Sequence, residues 1–186
     1  MVTLGALWLP ILLSAVFVFI ASTIIHMALR YHASDYVRLP NEDAVRAAIR
    51  AGDPPPRQYI IPYAGAMKEM DSPEMKQKFV EGPVAVLNVK RSGPFTMGPT
   101  LVQWFVYTLI VSFFVAYAAG RALPAGTPYL HVFQVAGSVA FLAYAAGHVP
   151  AAIWMGKPWS VASKEVLDGL IYGLLTAGTF GWLWPR

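Results

Sequence analysis

The sequence contains no cysteine, which removes several kinds of site at once. Without thiolates, the chain forms no disulfide and holds neither a Cys-ligated zinc ion nor an iron–sulfur cluster. The absence leaves the redox compartment of the protein open. The sequence also lacks a Gly-rich phosphate loop, an HExxH motif and a nucleophile elbow. We therefore predict a protein that is not an enzyme and that carries no cofactor.

Charged residues are scarce as well. They make up 13% of the chain, whereas 56% of its residues are hydrophobic. Soluble domains carry roughly 25% charged residues, so this balance is typical of a polytopic membrane protein. The formal net charge is only +4. We expect a lipid bilayer and other membrane subunits as partners, and no nucleic acid.

Four stretches are apolar enough over the ~20 residues that a bilayer core requires. They cover residues 4–29, 99–120, 129–155 and 161–184, the last with three charged residues near its start. The first stretch is expected to be a membrane anchor rather than a signal peptide, because no Lys or Arg precedes it and no clear cleavage site follows. We predict an all-α integral membrane protein with a four-helix transmembrane bundle.

The basic residues predict the orientation of these helices. Ten of the fourteen Lys and Arg residues lie between the first two apolar stretches, and Lys157 and Lys164 lie between the last two. Only Arg121 and Arg186 fall on the other side. Because Lys and Arg are enriched in cytoplasmic loops, we expect a cell (inner) membrane protein with both termini outside.

The chain then divides into a first transmembrane helix at 1–30, a cytoplasmic membrane-surface segment at 31–97, and helices two to four within 98–186. The middle segment is expected to be a small α+β insertion. Capping residues predict helices over 41–52 and 72–82. A β-strand is predicted at 84–90, paired with residues 59–61.

Small residues recur every four positions in three of the apolar stretches. They are Gly169, Gly173, Ala177 and Gly181 in the fourth, Ala143, Gly147 and Ala151 in the third, and Ser112, Ala116 and Gly120 in the second. Four-residue spacing places such residues on one side of a helix, where they allow close helix contact in a bilayer. The three stripes are expected to pack against each other within the chain. Alternatively, the stripe of the fourth stretch, which is the longest, faces another chain.

Ionisable residues are predicted to gather near the inner ends of these helices. Gly156 and Pro158 end the third helix, and Ser160 is expected to cap the fourth. His148 and Asp168 then lie at similar depth on neighbouring helices. The same level holds His26, Lys164 and Glu165, while Pro150 is expected to kink the third helix. His32 and His131 are interpreted as interfacial.

Three functions remain open for this cluster. A non-catalytic accessory subunit, or a self-associating bundle, would use it to fix the helices. A small ion, proton or solute transporter would use His148 and Asp168 as a transfer step. In the third hypothesis, His26 and His148 ligate a b-type haem or a metal ion. We favour the accessory subunit as the sequence-based prediction.

Overall fold

The computed structural model describes all 186 residues, which form two compact units. Residues 1–35 and 96–186 make the first unit, and residues 36–95 make the second. The helices are α1 (Trp8–Thr23), α2 (Glu42–Ala51), α3 (Met67–Met70), α4 (Pro73–Glu81), α5 (Gly98–Ala122), α6 (Tyr129–Ala145), α7 (His148–Met155) and α8 (Trp159–Trp182). The strands are β1 (Gln58–Ile61) and β2 (Ala85–Asn88).

Three helical stretches are long and apolar enough to cross a membrane. They are Leu4–Ala28, which contains α1, Gly98–Ala122, which is α5, and Tyr129–Met155, which contains α6 and α7. These stretches confirm a mostly helical protein with the features of a membrane protein. α8 is 24 residues long, but its first half carries Lys164, Glu165 and Asp168.

Small side chains set the contact between α6 and α8, which is the most extensive helix pair of the first unit. A Cβ atom added to Gly169 would lie 2.8 Å from the Cβ atom of Ala145. At the other end of the pair, a Cβ atom on Gly181 would lie 2.7 Å from the ring of Tyr129. The two helices therefore run antiparallel, and glycine is what permits their close approach.

The contact surface of α6 differs from the predicted stripe. Ala143 and Gly147 are exposed, and nothing lies within 4 Å of a Cβ atom added to Gly147. Instead, Gly137, Phe141 and Ala145 face α8. These residues have the same four-residue spacing as the predicted stripe but are offset from it by two positions, which is about half a turn of a helix with 3.6 residues per turn.

The predicted Pro150 kink is a break between two helices. α6 ends at Ala145, and Pro150 lies in the first turn of α7, where its missing amide costs no helical hydrogen bond. α7 ends at Met155, and the C-cap residue Gly156 has a φ of 68°, as predicted from the glycine. α8 begins at Trp159 with Pro158 at its N-cap, so Ser160 is a helical residue rather than the cap.

The interior between these helices is apolar. Val18, Val115, Ala136, Ala140 and Phe180 are all fully buried. Several serine and threonine side chains among them are hydrogen-bonded. For example, the Ser14 hydroxyl bonds Ser112 at 2.9 Å, and Thr176 bonds the carbonyl of Tyr172.

Hydrogen bonds join the chain ends to the loop between α5 and α6. The amide of Val2 donates to the carbonyl of Gly120 at 2.8 Å, and the amide of Gly126 donates to Pro185 at 2.9 Å. The indole of Trp184 donates to the carbonyl of Pro124. Both terminal segments therefore lie at the same end of the first unit as the α5–α6 loop.

The second unit contains the predicted strand pair and helices. β1 and β2 are antiparallel, with Tyr59 opposite Leu87, which confirms the small sheet. The Ser72 hydroxyl accepts from the amide of Met75 and caps α4 as predicted. Asn41 precedes α2 in a left-handed conformation and makes no side-chain cap hydrogen bond.

Candidate functional site

The segment after α1 folds back onto the first half of α8. It continues as a π-helical turn at Ile24–Ala28 and a 3₁₀ turn at Arg30–His32. The Tyr31 hydroxyl donates to one oxygen of Asp168, and His32 Nε2 lies 2.8 Å from the other. Asp168 is therefore a buried carboxylate that is satisfied by two neighbours on a different chain segment.

Asp35 supports this arrangement by contacting the ring nitrogen of His32 that does not face Asp168. Its carboxylate lies 2.5 Å from His32 Nδ1, and Lys164 Nζ lies 2.5 Å from its other oxygen. Hydrogen bonds from Lys164 and His32 lower the pKa of Asp35 below its ordinary value, so it stays ionised. Lys164 also donates to the carbonyl of Tyr31 at 2.6 Å. The 3₁₀ turn is thus held against α8 by Lys164 as well as by Asp168.

Burial and the hydrogen bond to Asp168 raise the pKa of Tyr31. The hydroxyl therefore keeps its proton at neutral pH and acts as a donor to Asp168. The Asp168 carboxylate is held by one neutral donor and one imidazole nitrogen.

A second polar group lies across from Asp168. His148 Nδ1, at the start of α7, lies 3.0 Å from a carboxylate oxygen of Glu165. Lys157, in the turn before α8, also binds Glu165, with Nζ 2.5 Å from Oε1. His148 is thus paired with Glu165 rather than with Asp168.

These two groups border one cavity of about 280 Å³. Its lining residues are His26, Trp104, Tyr107, Tyr144, His148, Glu165, Asp168 and Tyr172. The Trp104 indole donates to Ser22 at 2.8 Å, and the Tyr107 hydroxyl donates to the carbonyl of Ala143. In contrast, the buried hydroxyls of Tyr144 and Tyr172 have no hydrogen-bond partner in the protein. We call this cavity the polar chamber.

Three side chains at the chamber edge have the donor set of a metal site. One ligand atom each from His26, His32 and Asp168 lies within 4.8 Å of the other two. His26 is exposed, and its ring centroid is 4.6 Å from that of His32. The 280 Å³ volume of the chamber lies below the ~300–1,000 Å³ of organic-ligand pockets, so an ion or a small polar molecule fits it better than a haem.

The structure brings together four of the ionisable residues singled out from the sequence. His26, His148, Glu165 and Asp168 all line the polar chamber. Lys164 lies at its edge, where it binds Asp35 instead of Asp168.

Sequence reasoning did not find the residues that complete the site. They are Tyr31, His32, Asp35, Trp104, Tyr107, Tyr144 and Tyr172. Two signals were available in the sequence. His32 and Asp35 are three residues apart, and Tyr172 lies one helical turn after Asp168.

Comparison of this chain with protein-family models, curated proteins and solved structures finds no match.

Proposed function

We propose that the chain is a four-span integral membrane protein that binds an ion or a small polar ligand in the polar chamber. The chamber would open at the cytoplasmic ends of the helices, and the ligand would not cross the bilayer through this chain. In this role the protein is a non-catalytic component of a membrane complex or of an assembly of its own copies.

The main support for this proposal is that the buried hydroxyls of Tyr144 and Tyr172 have no hydrogen-bond partner. A buried polar group without a hydrogen bond costs about 1–3 kcal/mol, so such groups call for a partner. Both residues are at most 5% exposed and both line the polar chamber. The two hydroxyl oxygens have no surface accessible to water, so a bound ligand or ion with its water molecules would supply the missing hydrogen bonds once the tyrosine side chains turn towards it.

The apolar interior argues for binding rather than transport. Beyond the chamber, the helices are closed by Val18, Ala140 and Phe180, all fully buried. A conducting pathway needs polar or ionisable groups along its length, and such groups mark transport routes in membranes. In this chain the ionisable residues of the first unit's interior gather at one end only.

The antiparallel contact of α8 with α6 supports a fourth span. α8 extends past Gly181 to the level of Tyr129, where α6 begins. If α6 crosses the bilayer, α8 would cross beside it, with Asp168 satisfied by Tyr31 and His32. The cytoplasmic orientation is supported by Lys157 and Lys164, which lie at the chamber end.

The number of spans can be tested with single cysteines, since the chain has none of its own. We expect Thr127→Cys and Arg186→Cys to react with a membrane-impermeant maleimide from outside the cell. Ser92→Cys should react only in inverted vesicles. The reason is that the α5–α6 loop and residue 185 share one end of the first unit, joined by the Gly126 to Pro185 hydrogen bond.

Labelling of Thr127→Cys and Arg186→Cys from opposite sides would contradict a fourth span. Labelling of Ser92→Cys from outside would reverse the proposed orientation. Ser92 and Arg186 are exposed and Thr127 is a half-buried residue of the α5–α6 loop, so the folded protein should tolerate all three substitutions.

A further inference from the structure

We infer that His26, His32 and Asp168 bind one divalent transition-metal ion at the edge of the polar chamber. The inference rests on the proposed function, because it names the ligand that the chamber takes. Two imidazoles and one carboxylate form a nitrogen–oxygen donor set that suits Zn²⁺ and the neighbouring first-row divalent ions. No thiolate is needed for such a site.

The distances allow the three ligands to close on one ion. Their donor atoms lie within 4.8 Å of one another. Ligands at 2.0–2.1 Å from a tetrahedral ion are about 3.4 Å apart, so closure requires movements of about an ångström. His26 can make this movement because it is exposed and lies in the π-helical turn after α1. Such π-helical turns occur frequently at functional sites.

The surroundings of His32 are those of a metal-binding histidine. Such histidines commonly donate their second ring nitrogen to a carboxylate, which fixes the ring and its tautomer. His32 Nδ1 lies 2.5 Å from a carboxylate oxygen of Asp35. The other ring nitrogen, Nε2, is directed at Asp168. Lys164 in turn holds Asp35, and the Tyr31 hydroxyl holds the Asp168 oxygen that does not face His32.

Metal binding exchanges a proton for the ion. His32 Nε2 and Asp168 Oδ2 are 2.8 Å apart and share a hydrogen bond in the metal-free protein. The ion would take the place of the proton between them, and that proton would be released to water. Three protein ligands leave a further coordination position. That position opens into the polar chamber, which His26 and Asp168 both line.

His148 does not belong to this ligand set, although the sequence alone makes it a metal candidate. Its Nδ1 atom is 3.0 Å from Glu165, which also binds Lys157. The three-ligand group is formed with His32 instead. His131, in the first turn of α6 and outside the chamber lining, therefore serves as the matched control, because it carries the same imidazole.

The test is a titration of the full-length protein, purified in detergent and stripped with a chelator, with Zn²⁺ and then with Co²⁺. Calorimetry should give one ion per chain, and Co²⁺ should develop the absorption bands of a low-symmetry nitrogen–oxygen site. We expect His26→Ala and His32→Ala to weaken binding by about 100-fold or more. Asp35→Asn should weaken it by about 10–100-fold, because Asp35 positions His32. His131→Ala should bind like the wild type.

The His26→Ala variant distinguishes a loss of metal ligands from a loss of metal binding that is caused by misfolding. Its side chain is exposed, so its thermal unfolding should match that of the metal-free wild type. Absence of Zn²⁺ and Co²⁺ binding by the wild type, or equal binding by wild type and His26→Ala, would overturn the metal site. The proposed function is tested separately by the reactivity of Tyr172→Cys in the metal-free protein, which needs no ion. A reactive chamber without metal binding would reject this inference alone.

Discussion

Gly169→Ala is expected to lower the free energy of unfolding by about 1–3 kcal/mol, the usual cost of overpacking a close contact. The added methyl group would lie 2.8 Å from the Cβ atom of Ala145 and 3.0 Å from its backbone nitrogen. Backbone atoms cannot rotate away, so α6 and α8 must separate. Since Asp168 is the adjacent residue, the separation should also disturb the polar chamber.

The control for this change is Gly147→Ala, which makes the same substitution in the turn between α6 and α7. Nothing lies within 4 Å of its added Cβ atom, and Gly147 has right-handed helical backbone angles. It should leave stability unchanged or raise it by a few tenths of a kcal/mol to about 1 kcal/mol. Thermal or denaturant unfolding in detergent measures both variants. Equal losses at the two positions would contradict the α6–α8 packing.

Asp168→Ala should destabilise the metal-free protein by about 2–5 kcal/mol. The substitution removes the acceptor of two donors, the Tyr31 hydroxyl and His32 Nε2. Both donors are half-buried, and each loses a hydrogen bond to a charged group, worth about 1.5–3 kcal/mol, part of which contact with water restores. The 3₁₀ turn at Arg30–His32 also loses its main attachment to α8, so its backbone amides should exchange with solvent faster.

Two variants calibrate the Asp168→Ala result in unfolding measurements with excess chelator. Asp168→Asn keeps the size of the side chain and one acceptor oxygen, so its loss should be about half as large. Glu165→Ala removes a partly exposed carboxylate and should cost about 1 kcal/mol or less. If Asp168→Ala unfolds at the wild-type temperature, then Asp168 does not join the Tyr31–His32 turn to α8.

The helical character of the chain follows from its sequence because apolar length and turn residues are local signals. Gly156 ends α7, and Ser72 with Pro73 begins α4, through chemistry that a few neighbouring residues contain. Each of the strands β1 and β2 is predictable for the same reason, although their pairing joins segments that α3 and α4 separate. In contrast, the contact face of α6 is offset by two positions from the predicted stripe, because a stripe of small residues does not reveal its partner.

The polar chamber was only partly predictable. Depth along the helices placed His148, Asp168 and His26 at one level, and all three line the chamber. Their partners depend on rotation about the helix axes and on the turn after α1, which periodicity does not specify. His32 is the clearest example, because the turn at Arg30–His32 folds it back onto α8 instead of leaving it at the membrane surface.

Access of water to the polar chamber from one side is the most direct test of the account. Tyr172→Cys places a thiol in the chamber, and Ala136→Cys places one in the fully buried apolar interior. A membrane-impermeant, positively charged thiosulfonate should modify Tyr172→Cys in inverted vesicles and not in right-side-out vesicles. Ala136→Cys should resist the reagent in both. Modification of both cysteines from both sides would show a pathway across the membrane and contradict the account.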